Sequence, residues 1–373
     1  MLLMIPGPVQ LHERIIKAMC RQMIGHRTKD FSRILEFCTE GMKKLFGTKF
    51  DVYFISGSGT AGMEAAIASF SKVKKIATIE NGKFGERLGD IAQRYTEVER
   101  IKFEWGKSIE LEKVKAALEN GCDAVAFVHN ETSTGILNPA KEIAKIAREY
   151  DALVIMDGIT SVGGDYVKMD EWGVDITIVG SQKCLGCPPG LAAVAVNDKA
   201  WNYYNEKCPY YLDLAAYRKR SADFQTPYTP AVPLFFALEE ALKIIDEEGL
   251  ENRIQRHRIL SSAVRKWAIE AGLELFPELN KYSSYSNTVT AIKMPKGITD
   301  SELRGTLKKE YGILISGGQG KLKGRIFRIG TMGNVGKLEV LSTLAAIEEI
   351  LRRKNVFTRP ALEYAGAALR DLV

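Results

Sequence analysis

Between about residues 50 and 200, short and almost wholly apolar runs alternate with longer stretches whose apolar residues recur at helical spacing. Val52-Tyr-Phe-Ile55, Lys75-Ile-Ala-Thr-Ile79, Ala124-Val-Ala-Phe-Val128, Leu153-Val-Ile-Met156, Ile176-Thr-Ile-Val179 and Leu191-Ala-Ala-Val-Ala-Val196 have the unbroken apolar character of strands buried on both faces. The stretches 60–71, 85–95, 111–120 and 139–150 between them predict helices. Such alternation specifies an α/β architecture, a mostly parallel central sheet flanked by helices. Past about residue 230 the rhythm changes to two long helical stretches, 233–247 and 251–271. A smaller mixed region follows: a strand over 288–294, a helix over 300–311, strands near Ile313 and Ile326, and a helix over 335–353. Glu247-Glu-Gly-Leu250 reads as a helix stop. The expected division is therefore an N-terminal arm and large domain over 1–248 and a smaller α+β C-terminal domain over 249–373.

Composition narrows the function. At 373 residues and 46% apolar content, the chain has material for a large core and two domains. Its net charge of +6 is spread along the sequence and interleaved with acids, which argues against a nucleic-acid partner. No apolar run approaches the length of a membrane span. The opening Met1-Leu-Leu-Met-Ile-Pro-Gly-Pro8 is too short and lacks the basic leader of a secretory signal. The expectation is a cytoplasmic protein. Its 6 cysteines are scattered, apart from Cys184-Leu-Gly-Cys187, a spacing that raises zinc or redox chemistry. No second such pair follows, and His12, His26, His129 and His257 form no ligand-spaced set, so no metal is expected and the thiols are expected reduced.

The candidate chemistry lies at two strand ends. Ser181-Gln-Lys183 follows the buried run ending at Gly180, and Asp157 ends the run Leu153-Val-Ile-Met. An Asp there is ordinarily a cap or turn residue, and a lone Lys ordinarily snorkels to solvent. If both strands are parallel, however, the two side chains converge at the carboxyl edge of the sheet, where α/β proteins bind their ligands. An amine in a partly dry site loses its proton more readily and becomes a nucleophile for a carbonyl carbon. A carboxylate beside it can keep a ring nitrogen protonated, and that combination points to pyridoxal 5′-phosphate. Ile55-Ser-Gly-Ser-Gly-Thr60, between the first buried run and the first helix, supplies free amides and small residues for a phosphate. It lacks both the Gly-Lys-Ser/Thr ending of a triphosphate loop and the dinucleotide spacing.

Four segments, Ser56-Gly-Ser-Gly-Thr60, Asn130-Glu-Thr-Ser-Thr-Gly135, Met156-Asp-Gly-Ile-Thr-Ser161 and Gly180-Ser-Gln-Lys-Cys-Leu-Gly-Cys-Pro-Pro-Gly190, together resemble the class V pyridoxal-phosphate aminotransferases, in the alanine:glyoxylate and serine:pyruvate group. The resemblance runs from Pro6-Gly-Pro8 to the final helix. It implies a fold type I homodimer with its active sites at the subunit interface. By that likeness Lys183 is the covalent anchor of the cofactor aldehyde, Asp157 pairs with the ring nitrogen, and Gln182 and Thr132 lie near the ring's phenolic oxygen. Ser58, Gly59 and Thr60 would hold the phosphate, and Thr229 would reach it from the neighbouring subunit. Phe84 falls where relatives often carry Trp and would stack on the ring without an indole donor. Arg328, in Ile326-Phe-Arg-Ile-Gly330, matches the arginine that grips the substrate carboxylate, a task suited to a guanidinium fork. Gly7 and Arg27 would complete the substrate site.

The implied reaction moves an amino group from alanine or serine to glyoxylate or pyruvate, with Lys183 first as anchor and then as general acid and base. His26-Arg27 leaves phosphoserine or aspartate as an alternative donor, because the same segment meets a distal anion in phosphoserine transaminases. A lyase of the cysteine desulfurase kind fits less well: Gln rather than His precedes Lys183, and no Cys follows Cys208. A catalytically inactive binding protein on the same fold is a third reading.

Overall fold

The computed structural model describes residues 1–356, 359–370 and 372. The chain opens on a short strand, β1 (Leu2–Met4), that belongs to a sheet formed much later in the sequence. Then come β2 (Asp51–Ser56), β3 (Lys75–Glu80), β4 (Glu97–Lys102) and β5 (Ala124–Val128), a small hairpin of β6 (Asn130–Glu131) and β7 (Ile136–Leu137), and β8 (Leu153–Asp157), β9 (Ile176–Gly180) and β10 (Leu191–Val196). The long strands form a 7-stranded sheet in the order β2-β10-β9-β8-β5-β3-β4. All neighbours pair in parallel except β10, which is antiparallel to both β2 and β9. The carboxyl ends of β2, β8 and β9 therefore open on one edge, with Asp157 in register with Ile178.

Residue alternation along these strands divides the core. Phe54, Val125, Phe127, Val154, Met156 and Val179 pack into one apolar layer. Ile55, Ala124, Ala126, Ile155, Ile176 and Ile178 pack into the other. Helices cover both faces, as buried parallel strands require. Helix α1 (Glu13–Met19) packs on the helix Val232–Glu248. That helix also packs on α2 (Lys29–Phe46), whose Phe31, Ile34, Leu35, Cys38 and Met42 form its buried stripe. On the opposite face lie α3 (Gly59–Ser69) and α4 (Lys83–Ala92). The edge strand β4 carries Glu97, Glu99 and Lys102, charges that discourage pairing with another chain and that hide its strand character in an apolar scan.

Strand β11 (Ser284–Tyr285) adds to the β6–β7 hairpin. The second packing unit is built around β12 (Val289–Lys293), β13 (Ile313–Gly317) and β14 (Ile326–Gly330), in a sheet ordered β1-β13-β14-β12. Trp267, Phe327, Leu260, Leu344 and Ile347 fill its core. Both chain ends contribute: Leu2–Met4 pairs in parallel with Ile313–Ile315, and Met4 is fully buried there. The start of the N-terminal arm thus packs with the later strands, where its apolar residues find a free sheet edge. The helix expected over 300–311 is α-helical only to Thr306 and widens to a π-type turn over Leu307–Tyr311. None of the described helices is long and apolar enough to cross a membrane.

Trp267 is fully buried, and its indole donates to Glu348 Oε1 at 2.8 Å. Trp267→Ala is expected to cost about 3–5 kcal/mol of unfolding free energy. Urea denaturation followed by circular dichroism tests this, and a loss below about 1 kcal/mol would contradict the packing.

Candidate active site

After β9 the chain reverses into the antiparallel β10, and the segment between them carries Lys183. Ser181 fixes the turn from several sides. Its amide donates to Leu191 O at 2.9 Å, its hydroxyl donates to Pro188 O at 2.6 Å and accepts from Leu191 N at 3.2 Å, and its carbonyl accepts from Cys187 N at 3.0 Å. From below, the buried Arg253 donates to Cys184 O at 2.7 Å while paired with Glu248 at 2.7 Å. Lys183 rises from this rigid base, and its Nζ donates to the carbonyl of Pro6. Gly7 lies alongside with φ of +120°, where a Cβ would come 2.8 Å from Lys183 Cδ, so both the backbone and the space demand glycine. Burial lowers the Lys183 amine to about 8, a value at which it can act as a nucleophile near neutral pH.

Asp157 faces the same cavity, of about 220 Å³, whose wall also includes Phe84, Thr132 and Gln182. Its Oδ1 accepts from Ile159 N at 2.8 Å. Burial pushes its carboxyl up to about 7, more than that hydrogen bond and the nearby cations pull it down. The buried Gln182 Oε1 and Asn130 Oδ1 have no hydrogen-bond partner among the described residues, and both residues line this cavity. Orphaned polar atoms around a cavity are the mark of a site built for a polar ligand.

Ser58, Gly59 and Thr60 form the third wall, where α3 begins. Ser58 occupies the N-cap position but makes no capping hydrogen bond with its side chain, and no acid lies in the first turn. The amides there remain available to an anion. Gly59 is held close to Ile159, whose Cδ1 would stand 2.7 Å from an added Cβ. Phe84 is placed by Glu131, a fully buried carboxylate. Glu131 Oε2 accepts from Phe84 N at 3.0 Å and Gly85 N at 2.9 Å, and Oε1 accepts from Ser133 N at 3.1 Å. Glu131 thus caps α4 from the β6–β7 hairpin and aims the Phe84 ring. Burial raises its carboxyl above the ordinary range despite these donors. These features fit pyridoxal 5′-phosphate: an amine of lowered basicity, a buried carboxylate, an uncompensated helix start and an aromatic face share one small cavity.

Lys183, Asp157, Ser58, Gly59, Thr60, Phe84, Thr132 and Gln182, the cofactor residues expected from the sequence, all gather around this cavity. Arg328 stands one residue behind it. This buried guanidinium donates to Thr132 O at 2.8 Å and to Gly317 O at 2.8 and 3.1 Å, and it has no carboxylate partner among the described residues. Burial lowers it to about 10. Thr229 and Arg27 are not brought to the cavity of their own chain. Thr229 borders a small hollow with Ser56, Tyr211 and Tyr228. The exposed Arg27 donates to the carbonyls of Thr226 and Pro227. Cys184 and Cys187 are buried, and burial pushes both thiols up to about 12, which makes them poor nucleophiles. Glu131 and Arg87 join this site without being expected from the sequence: Glu131 sits inside the Asn130–Gly135 motif, and Arg87 lies three residues after Phe84, hence on the same helical face.

The two perturbed groups have opposite effects on stability in the ligand-free protein. Folded Asp157 keeps its proton to about 7, whereas an unfolded aspartate loses it near 4, so stability falls as pH rises between these values. Folded Lys183 loses its proton near 8, below the unfolded value, so its contribution rises with pH above 8. Asp157→Asn is expected to flatten the fall, which in wild type is on the order of 4 kcal/mol. Urea titrations from pH 4.5 to 7 measure it, and parallel curves for the two proteins would contradict burial of the carboxyl.

A family model described as Aminotransferase class-V matches residues 10–325. An uncharacterized aminotransferase of Methanocaldococcus jannaschii is 48% identical over 359 residues, covering 94% of this chain and 92% of that protein. A serine–glyoxylate aminotransferase of Methylorubrum extorquens is 33% identical over 382 residues, covering 98% and 94%. Among solved structures, the ureidoglycine–glyoxylate aminotransferase of Bacillus subtilis superimposes with a TM-score of 0.90 at 33% identity, covering 98% of this chain and 97% of the other. Likeness in sequence and in fold thus extends along nearly the whole chain, which belongs to the class-V aminotransferases, transaminases of PLP-dependent fold type I.

Proposed function

We propose that this enzyme transfers the amino group of a small amino acid, alanine or serine, to a small 2-oxo acid, glyoxylate or pyruvate. The observation that carries the proposal is the convergence of Lys183 and Asp157 on one cavity of about 220 Å³ at the carboxyl edge of the sheet. Bound there, pyridoxal 5′-phosphate would supply an aldehyde carbon to take the amino group and a ring to accept the electron pair left when the substrate Cα loses its proton. Lys183 Nζ would hold the aldehyde before substrate enters and would then be the group placed to move the Cα proton. Asp157 would pair with the ring nitrogen and keep it protonated, a charge that would in turn favour the ionised carboxylate. Gln182 and Thr132 would orient the ring edge, Phe84 would cover its face, and Ser58, Gly59 and Thr60 would receive the phosphate.

Arg328 supports an α-carboxylate as the common group of donor and acceptor. Three of its five N–H groups serve Thr132 O and Gly317 O, which leaves one on each terminal nitrogen for a bidentate partner. Gly7 lets the Pro6-Gly-Pro8 segment pass directly against the Lys183 side chain. The serine–glyoxylate and ureidoglycine–glyoxylate relatives support small substrates. Phosphoserine or aspartate would ask Arg27 to meet a distal anion, and in this chain that guanidinium is engaged by two backbone carbonyls. Arg27 and Thr229 lie off the cavity of their own chain, and we assign their partner as a second copy of the chain in a homodimer. Donor and acceptor use one site in turn, which gives ping-pong kinetics.

Lys183→Ala is expected to lower kcat at least ~10³-fold, with unchanged circular dichroism. A wild-type rate in this variant would overturn the assignment. Turnover of alanine, serine, aspartate and phosphoserine with glyoxylate and pyruvate tests the substrate class. A preference for acidic donors that disappears in Arg27→Ala would replace the small-donor reading.

A further inference from the structure

We propose that Arg87 is the permanent counter-charge for the cofactor phosphate, a residue of the phosphate site that completes what the α3 start only begins. The proposal rests on the reading of this cavity as the pyridoxal phosphate site. A phosphate monoester brings nearly two negative charges at neutral pH, and a group of that charge enters a buried cavity only against compensating cations and donors. The start of α3 offers about half a positive charge and a few amides. Among the residues lining the cavity, only Lys183 and Arg87 are basic. Lys183 is committed to the aldehyde end, and once it is covalently engaged it is no longer a free ammonium. Arg87 is the cation that remains.

Its geometry suits the task. Arg87 Nη1 donates to Thr60 Oγ1 at 3.1 Å, which ties the guanidinium to the phosphate wall. The guanidinium carbon lies 4.8 Å from the centroid of the Phe84 ring, a cation–π arrangement that restricts its orientation. Arg87 makes no ion pair with a carboxylate among the described residues, and only one of its five N–H groups has a partner there. A cation so placed, anchored at two points and left without an anion, matches the charge a phosphate would bring. The same contacts link cofactor loading to the Phe84 ring, since the residue that meets the phosphate also braces the aromatic face.

Reconstitution of the cofactor-free enzyme tests this without using turnover as the readout. Binding of pyridoxal 5′-phosphate and of pyridoxal, which has the aldehyde and ring but no phosphate, is measured by fluorescence for wild type, Arg87→Gln and Arg87→Lys. Arg87→Gln is expected to weaken pyridoxal 5′-phosphate at least about tenfold while changing pyridoxal less than about threefold, with Arg87→Lys between wild type and Arg87→Gln. Inorganic phosphate should compete with the cofactor in wild type and lose most of that effect in Arg87→Gln. Equal weakening of both ligands, or unchanged affinity for the phosphorylated one, would overturn the role of Arg87 while leaving the site intact. Failure of the wild-type protein to bind pyridoxal 5′-phosphate would instead remove the reading of the cavity itself.

Discussion

Two ionisable groups held out of water at the ends of neighbouring strands are the constraint on which the rest of this structure turns. Asp157 and Lys183 each resist their charged form because the cavity desolvates them, and in the proposed reaction that resistance would suit one to share a proton and the other to attack a carbonyl. The sheet makes the arrangement possible. Parallel pairing of β8 and β9 brings both carboxyl ends to one edge, and the antiparallel return through β10 forces a tight turn immediately after the lysine. Neighbouring details serve that turn. Gly180 leaves room for the Gln182 side chain, whose Oε1 would stand 2.9 Å from an added Cβ, and Arg253 braces the backbone at Cys184.

A second buried carboxylate integrates the site with its surroundings. Glu131 reaches from the β6–β7 hairpin into the start of α4, and it occupies the space of a side chain at Gly82, where a Cβ would come 2.3 Å from Glu131 Cγ. That hairpin is also the bridge to the later packing unit. Its strand β7 pairs with the strand Ser284–Tyr285, Asn130 donates to Thr288 Oγ1 at 2.9 Å, and Arg328 donates to Thr132 O. One short segment, Asn130–Thr134, thus connects the aromatic wall, the ring-edge residues and the arginine assigned to the substrate carboxylate.

What could be read from the sequence alone was whatever local order imposes. Almost wholly apolar runs mark β2, β3, β5, β8, β9 and β10, because a strand buried on both faces has little polar alternation to disguise it. Lys183, Asp157 and Ser58–Thr60 were legible because each lies directly at the end of such a run, and in a parallel sheet the end of a run is a place in space as well as in sequence. The charged edge strand β4, the pairing of Leu2–Met4 with Ile313–Ile315 and the commitment of Arg27 to the Thr226 and Pro227 carbonyls were decided only by tertiary structure. So were the capping of α4 by Glu131 and the meeting of Arg87 with Thr60. Each of these depends on groups far apart in the chain, and no local pattern records which distant partner will desolvate a charge or complete its hydrogen bonds.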